Sequence, residues 1–266
     1  MNRYFDNKVV WITGASSGIG EAIAKYLIQN TQAKIVLSAR NEKKLNDIAS
    51  YCSNKDRVFV LSFDLSKNFD ANLLTEKVIQ KFNRIDILIN NGGVSQRLKA
   101  LDTSEEIERE LFEINYFSYI KLSKRVLPHM IQQKYGHIVV MSSIAGKFGF
   151  YLRSTYSAAK HALHGYFESL RLEYEKEGIF VTIICPGKVK TNVSLNAISS
   201  GGQKHNQMDE SHLHAMNAEV AAQKILKSIA SKKKEVYVGG KELLMVYLKR
   251  FCPILFEWLI RKQSPY

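Results

Sequence analysis

The chain has 266 residues, 45% hydrophobic and 24% charged, which is enough apolar content to bury a core and excludes a disordered chain. A formal net charge of +13 suits an anionic partner, but no RNA-binding aromatic signature or DNA-reading helix is present, so nucleic-acid binding is not expected. Cys52, Cys185 and Cys252 lie far apart without C-x-x-C spacing, which fits reduced thiols and excludes a disulfide framework or zinc site.

The N-terminal MNRYFDN runs straight into an apolar segment. No leader-type apolar stretch is seen, so a cytoplasmic chain is expected. Residues 8–13 predict a strand, GASSGIG at 14–20 a turn, and residues 21–29 an amphipathic helix. Strand, glycine turn and helix form a phosphate-binding fingerprint. Glycines let a pyrophosphate approach the backbone, and the helix N-terminus offers it free N–H groups and positive dipole. The spacing is T-G-x-x-x-G-x-G, not the commoner G-x-G-x-x-G. Residues 34–39 predict a second strand that ends at Arg40. An acid there would serve a ribose 2′-hydroxyl, whereas a base suits the 2′-phosphate of NADP; the alternative is a solvated surface charge. Residues 41–53 predict a helix and 58–63 the third strand, closed by Asp64-Leu65. Asp64 either accepts from an adenine amino group or caps the next segment. Residues 71–82 predict a helix and 85–89 a fourth strand, followed by Asn90-Asn91-Gly92-Gly93. Those glycines allow close passage of a ligand or simply end the strand.

Residues 104–130 predict one long helix, opened by Ser104 with glutamates in its first turn. Asn115 falls inside it, as a solvated or locally bonded polar residue. Residues 137–141 predict a buried strand with Ser142-Ser143 at its C-terminal end, where open parallel sheets bind ligands. Tyr156 and Lys160 stand four apart in an alanine-rich stretch and so share one helix face. A phenol titrates near pH ~10. A neighbouring cation favours the phenolate, and a tyrosine so tuned can exchange a proton with an alcohol or carbonyl oxygen. Residues 179–185 predict the sixth strand, broken by Pro186-Gly187. The polar segment 194–216 reads as an active-site lid or a connector. Its His205, His212 and His214 lack firm ligand spacing, so no metal is expected. Residues 220–230 predict a helix and 235–238 a last strand.

This alternation implies a doubly wound α/β domain with a parallel sheet, spanning residues 1–240. Residues 241–266 form a helical C-terminal extension. Its segment 241–262 is apolar and basic together, too interrupted to span a membrane. It reads either as a segment lying on an acidic membrane surface or as a cover packed on its own domain or a second subunit. Pro253 predicts a bent pair of helices.

The joint set Thr13-Gly14-x-x-x-Gly18-x-Gly20, Asp64, Asn90 to Gly93, Asn115, Ser143, Tyr156-x-x-x-Lys160 and Pro186-Gly187 with Thr191 resembles the short-chain dehydrogenase/reductase family over roughly residues 5–240. Ala39-Arg40 and the run 157–165 bring it nearest the branch of 11β-hydroxysteroid dehydrogenase and dehydrogenase/reductase member 7. Gly92 departs from the pattern, since the family commonly has Ala there. The resemblance implies a Rossmann fold, NADP(H) in preference to NAD(H), and hydride transfer between nicotinamide and a carbonyl or secondary alcohol. It makes Tyr156 the general acid/base and has Lys160 lower its pKa and hold the nicotinamide ribose. Ser143 would orient the carbonyl, and Asn115 would hold a relay water. Cofactor contacts would come from Gly14, Ser16, Ser17, Gly18, Ile19, Gly20, Arg40, Asp64, Leu65, Asn91, Gly92, Tyr156, Lys160, Pro186, Gly187, Val189 and Thr191. A homo-dimer or homo-tetramer would form through the helices holding Asn115 and Tyr156. Phe148, Phe150, Tyr151 and Leu152 would line a mouth suited to a bulky apolar ketone or alcohol, steroid- or lipid-like. The alternative is a catalytically silent nucleotide-binding or membrane-attached interaction protein on the same fold.

Overall fold

Seven aliphatic, β-branched-rich runs pair into one parallel sheet in a computed structural model, which describes residues 1–191, 197–199 and 215–262. They are β1 (Val9–Thr13), β2 (Lys34–Ser38), β3 (Val58–Val60), β4 (Ile87–Asn90), β5 (Gly136–Met141), β6 (Ile179–Pro186) and β7 (Glu235–Val238), in the order β3-β2-β1-β4-β5-β6-β7. Every residue of β1, β4 and β5 is buried, as expected where helices cover both faces of a parallel sheet. After the short α1 (Asn2–Phe5), the covering helices are α2 (Gly18–Asn30), α3 (Glu42–Ala49), α4 (Ala71–Phe82), α5 (Glu105–Phe112), α6 (Ser118–Gln132), α7 (Ser154–Tyr174) and α8 (Ala218–Ala230).

Alternation along β1 splits the core into two layers. Val10 and Ile12 pack with Ile23 and Leu27 of α2 and Ile225 of α8. Val9 and Trp11 pack with Val78 of α4, Leu122 and Val126 of α6, and Leu163 and Phe167 of α7. The buried Trp11 indole donates to Ser38 Oγ at 2.9 Å, which satisfies its one polar atom.

Several boundaries differ from the sequence reading, each for a local reason. β3 stops at Val60, although Leu61 and Phe63 still donate to carbonyls of Leu37 and Ala39. β4 starts at Ile87, and just before it the Asp86 carboxylate takes the Val9 N–H at 2.8 Å and the Arg84 guanidinium at 2.6 and 2.9 Å. The single helix expected over 104–130 is two helices, α5 and α6, joined by a π-turn, Glu113–Phe117. The C-terminal segment is the bent pair foreseen, α9 (Leu244–Phe251) and α10 (Pro253–Arg261), with proline at the first position of α10, where its missing N–H costs nothing. Met245, Val246 and Phe256 of this pair pack on Ile144 and Phe148 of the main body. Among the described residues, no helix is long and apolar enough to cross a membrane. Most of the segment read as a lid, with His205, His212 and His214, lies outside the described residues.

The chain builds outward from β1 to β3, then returns to β4 on the other side of β1. That reversal leaves a crevice beyond the C-terminal ends of β1 and β4. The buried Thr13 hydroxyl closes its floor. It accepts from the backbone N–H groups of Asn91 at 3.0 Å and Gly92 at 3.1 Å, and it lies 3.4 Å from the Ile89 carbonyl. Thr13→Val keeps the shape but leaves the buried Gly92 amide without its acceptor, so a loss of about 1–3 kcal/mol is expected. Urea unfolding should show a lower midpoint for Thr13→Val and a near-normal one for Thr13→Ser. Equal midpoints for the valine variant and the wild type would remove this clasp from the stability argument.

Candidate active site

One cavity of about 1000 Å³ lies over the crevice. Its first wall is the turn between β1 and α2, with Gly14, Ser16, Ser17, Gly18 and Ile19. Gly14 and Gly18 adopt left-handed φ of 64° and 58°, a region closed to most side chains. A Cβ on Gly14 would lie 2.6 Å from the Gly92 Cα. Ser17, at the N-cap of α2, makes no side-chain cap bond, so the first N–H groups of the helix keep their capacity for an outside acceptor. Gly20 was expected to contact a cofactor, but it does not line the cavity; it packs beneath the turn, where a Cβ would collide with the Gly14 carbonyl.

Arg40 is exposed at the end of β2 and lines the cavity together with Lys44. Asp64 and Leu65 also line it. Asp64 caps a turn as well, accepting from Ser66 N at 3.0 Å and Ser66 Oγ at 2.9 Å, so its two sequence-level readings are compatible. At the unusual Gly92 a Cβ would meet the tip of the Leu65 side chain at 2.5 Å, a contact which that side chain can relieve by a small shift. Asn91 Nδ2 donates to the carbonyls of Thr13 at 3.0 Å and Gly14 at 3.2 Å, which holds the glycine turn to the end of β4. Pro186, Gly187, Val189 and Thr191 form the wall beyond β6. The Thr191 methyl sits against Gly18, where a Cβ would come within 2.9 Å of it.

Ser143, Tyr156, Lys160 and Asn115 converge on the same cavity. Ser143 ends the β5 segment, and its hydroxyl accepts from Ala145 N at 3.1 Å to cap the turn Ile144–Gly146. Tyr156 is four residues before Lys160 on α7. Lys160 is only 3% exposed. Its ammonium donates to the Met141 carbonyl at 2.8 Å and lies 5.7 Å from the Tyr156 ring centre. Burial pulls its pKa down to about 7. Burial raises the Tyr156 phenol above its ordinary value, opposed first by the charge of Arg153 and then by a hydrogen bond with Ser143. The sequence reading gave the acidifying charge to Lys160; the Arg153 charge, not singled out there, acts in the same direction.

Asn115 lies in the π-turn, fully buried. Its Nδ2 donates to the carbonyls of Leu111 at 2.9 Å and Val94 at 3.0 Å, and its Oδ1 accepts from Val94 N at 3.3 Å. A Cβ on Gly93 would lie 2.7 Å from Asn115 Oδ1 and 3.7 Å from Lys160 Nζ. The glycine therefore lets these two side chains approach over one spot. A π-turn of this kind is a frequent mark of a functional position.

Phe148, Phe150, Tyr151 and Met245 give the cavity an aromatic and apolar end. Leu152, expected with them, is not on the wall. It takes a left-handed φ of 61°, and its carbonyl accepts from Leu98 N at 3.1 Å. Arg97, Arg153 and Glu242 line the cavity and were not singled out from sequence. Glu242 Oε1 accepts from Lys188 N at 2.8 Å and Gly240 N at 2.9 Å, which ties the C-terminal segment to the loop after β6. No local spacing marks these three, because separate segments bring them together. Among the described residues, His164, Glu168 and Glu235 form a group of metal-ligand type within 4.8 Å. Glu235 is already paired with Lys147 at 2.8 Å, and that ammonium would repel a cation.

Known proteins share this architecture. The family model described as short chain dehydrogenase matches residues 8–200. Dehydrogenase/reductase SDR family member 7 of Homo sapiens is 40% identical over 264 residues, covering 96% of this chain and 77% of that protein. Dehydrogenase/reductase SDR family member 7B of Mus musculus is 37% identical over 259 residues, covering 95% of this chain and 80% of that protein. A crystal structure of a short-chain dehydrogenase from Streptomyces avermitilis aligns with a TM-score of 0.79 at 27% identity, covering 97% of this chain and 98% of that one. A short chain dehydrogenase/reductase from Burkholderia phymatum in complex with NAD shares the fold, with a TM-score of 0.82 at 23% identity over 95% of this chain and 96% of that one.

Lys160 gives the site a stability signature. The amine titrates near 7 when folded and near ~10.4 when unfolded. Between those values the unfolded chain binds the extra proton, so stability rises with pH across the window. Below it both states are protonated and the cost of burying the charge is fully felt. The nucleotide-free protein should therefore melt higher at pH 9 than at pH 7. Lys160→Met should flatten that slope and raise the pH 7 melting point, at about 2–4 °C per kcal/mol for a chain of roughly this size. Parallel slopes in the two proteins would contradict the assignment.

Proposed function

This chain belongs to the short-chain dehydrogenase/reductase family, on the branch of the member 7 proteins, and from that premise we propose that it is an NADP(H)-dependent oxidoreductase acting on a carbonyl or secondary alcohol. The observation that carries this reading is the convergence of Asn115, Ser143, Tyr156 and Lys160 on the cavity that also holds the glycine turn. The residues fit a dinucleotide. Two left-handed glycines form a cradle that any Cβ would fill, and α2 starts at its edge. Arg40 after β2, with Lys44 of α3 on the same cavity wall, favours a 2′-phosphate. When bound, the nicotinamide supplies the hydride chemistry.

The protein's own part is orientation and proton movement. Ser143 Oγ and the Tyr156 phenol, both on the cavity wall, hold and polarise the substrate oxygen. The phenol gives its proton to that oxygen in reduction and takes it back in oxidation. Arg153 stabilises the phenolate so formed. The Lys160 amine, poised near neutrality, can re-protonate the phenolate, and the buried Asn115 amide beside it anchors a water on the route to solvent. Phe148, Phe150 and Met245 suit the apolar body of a bulky substrate.

The C-terminal pair supports attachment to an acidic membrane surface. Its inner face packs on the body, while Phe251, Ile254 and Trp258 are 74, 87 and 56% exposed. Lys249, Arg250 and Lys262 lie close by in the chain. Apolar rings and aliphatics between cations match an interfacial helix. A homo-oligomer through the helices bearing Asn115 and Tyr156 is consistent with the exposed Phe117 and Leu172.

Tyr156→Phe should lower kcat by about 10²–10⁴-fold, followed as nicotinamide absorbance loss with a panel of bulky ketones, while NADPH binding measured by fluorescence persists. Full activity in this variant would refute the mechanism. Arg40→Glu should shift the NADPH-to-NADH affinity ratio towards NADH by about tenfold or more, the scale of a lost charge-assisted hydrogen bond. An unchanged ratio would remove Arg40 from cofactor selection.

A further inference from the structure

The run after β4 and the start of α7 are joined by one buried amide. Gln96 is fully buried, and its Oε1 accepts the backbone N–H of Tyr156 at 3.1 Å, 60 positions further along the chain. That N–H lies in the first turn of α7, ahead of the bond from the Ser157 N–H to the Arg153 carbonyl at 2.8 Å. Donors in a first turn need an acceptor from outside the helix. The residue at the N-cap is Arg153, whose side chain has donors and no acceptor, so the acceptor comes from a distant segment. The orientation of the Gln96 amide follows from its partners. Thr103 Oγ1 donates to the Lys99 carbonyl at 2.8 Å and so accepts from Gln96 Nε2 at 2.8 Å; Nε2 also lies 3.4 Å from Ser154 Oγ. The backbone around Gln96 is held on two sides. The Ile198 N–H donates to the Ser95 carbonyl at 2.9 Å, the Arg97 N–H donates to the Ile198 carbonyl at 2.8 Å, and the Leu98 N–H donates to the Leu152 carbonyl at 3.1 Å. Leu98 is also bridged to Arg153. Ser95 and Ile198 line the cavity, whereas Gln96 does not.

We propose that Gln96 is a positioning residue for Tyr156, setting how far the phenol reaches into the cavity. The task of the phenol rests on the oxidoreductase reading above; the amide bond itself does not. Tyr156 is the third residue of α7, in the turn where a helix frays first, and a proton donor displaced by an ångström loses much of its effect. The Gln96 bond removes that freedom. It fixes the Tyr156 backbone against the run 91–98, whose first residues are bonded to the end of β1 through the Thr13 hydroxyl. The proton donor and the glycine turn are thereby referred to one frame, although they lie at opposite ends of the catalytic half of the chain. Gln96 needs no contact with substrate to act in this way.

The test uses the full chain and two readouts. Hydrogen exchange resolved at single amides reads the bond without any turnover. The Tyr156 amide should be protected in the wild type and exchange about tenfold or more faster in Gln96→Met, which keeps the length of the side chain and removes its acceptor. Gln96→Glu keeps an acceptor of the same reach and should preserve that protection and most of kcat, which leaves a reading in hand if the methionine variant does not fold. The second readout is steady-state reduction of a bulky ketone with NADPH. Gln96→Met should lower kcat by about tenfold to a hundredfold, the scale of an ångström misplacement, with both KM values within about twofold of the wild type. Val78→Ala, a core substitution on α4 away from the cavity, should lower the melting point without that fall in kcat. In a Tyr156→Phe background Gln96→Met should cost no more than about threefold, because the group it positions is already gone. An unprotected Tyr156 amide in the wild type, a wild-type kcat in Gln96→Met, an equal fall in kcat in Val78→Ala or in Gln96→Glu, or a fully additive loss in the Tyr156→Phe background each overturns the proposal. Gln96-dependent protection of the Tyr156 amide in a chain that turns over no ketone would uphold the anchoring and refute the oxidoreductase reading instead.

Discussion

The Thr13 hydroxyl holds the place on which the rest of the molecule depends. Strand order reverses between β1 and β4, and a reversal leaves the two strand ends diverging over a crevice. Thr13 joins those ends through the backbone of Asn91 and Gly92, and Asn91 returns two bonds to the carbonyls of Thr13 and Gly14. The glycine turn, the Asn-Gly-Gly run and the start of α2 therefore move as one unit. Gly93, one residue on, is the place where Asn115 and Lys160 approach each other. A single buried hydroxyl thus ties the glycine turn to the run that leads to Asn115 and Lys160.

Electrostatics in that unit runs against stability. Lys160 is buried among a carbonyl and two phenol rings, those of Tyr119 and Tyr156, and burial carries its amine down near neutrality. Tyr156 is driven the other way by burial and restrained by Arg153 and Ser143. Both shifts cost folding free energy, and they move the two groups apart in proton affinity, so that the Lys160 amine gives up its proton more readily than the Tyr156 phenol does. Perturbation of this kind is concentrated where chemistry is done. The C-terminal pair adds a second constraint. Glu242 and Met245 complete the cavity wall, while the outer face of α9 and α10 stays apolar and basic. Attachment of that face to a surface would therefore bear directly on the pocket.

How much of this was legible from the residues alone depends on the range of the interaction involved. The strand-turn-helix at the N-terminus, the order of the seven strands and the Tyr156–Lys160 pair follow from local periodicity, glycine placement and i, i+4 spacing, and the structure has them as read. The bent C-terminal pair followed from the conformational limits of one proline. Asn115 was read as a site residue only through the family resemblance, and its setting in the fold was not readable from spacing. Only the π-turn, set by packing of α5 and α6 against α7, turns its amide to Val94 and Leu111. Gly20 was read as a ligand contact because its spacing belongs to the motif, yet the tight turn puts it beneath the wall. Leu152 was read as pocket lining because it follows two aromatics, yet its backbone turns left-handed to meet Leu98.

By itself the sequence determined the fold class and the family, and it carried the Tyr156–Lys160 pair, because these are written in local periodicity, motif spacing and an i, i+4 step. The tertiary structure decided which charges face that cluster. Arg97 and Arg153 meet only because the run after β4 pairs with the residues before α7, and Glu242 reaches the wall only because the chain returns from β7 to the loop after β6. Coulombic forces act through space and not along the chain. The partners that set the electrostatics of the site are therefore fixed only when the sheet and its helices have closed.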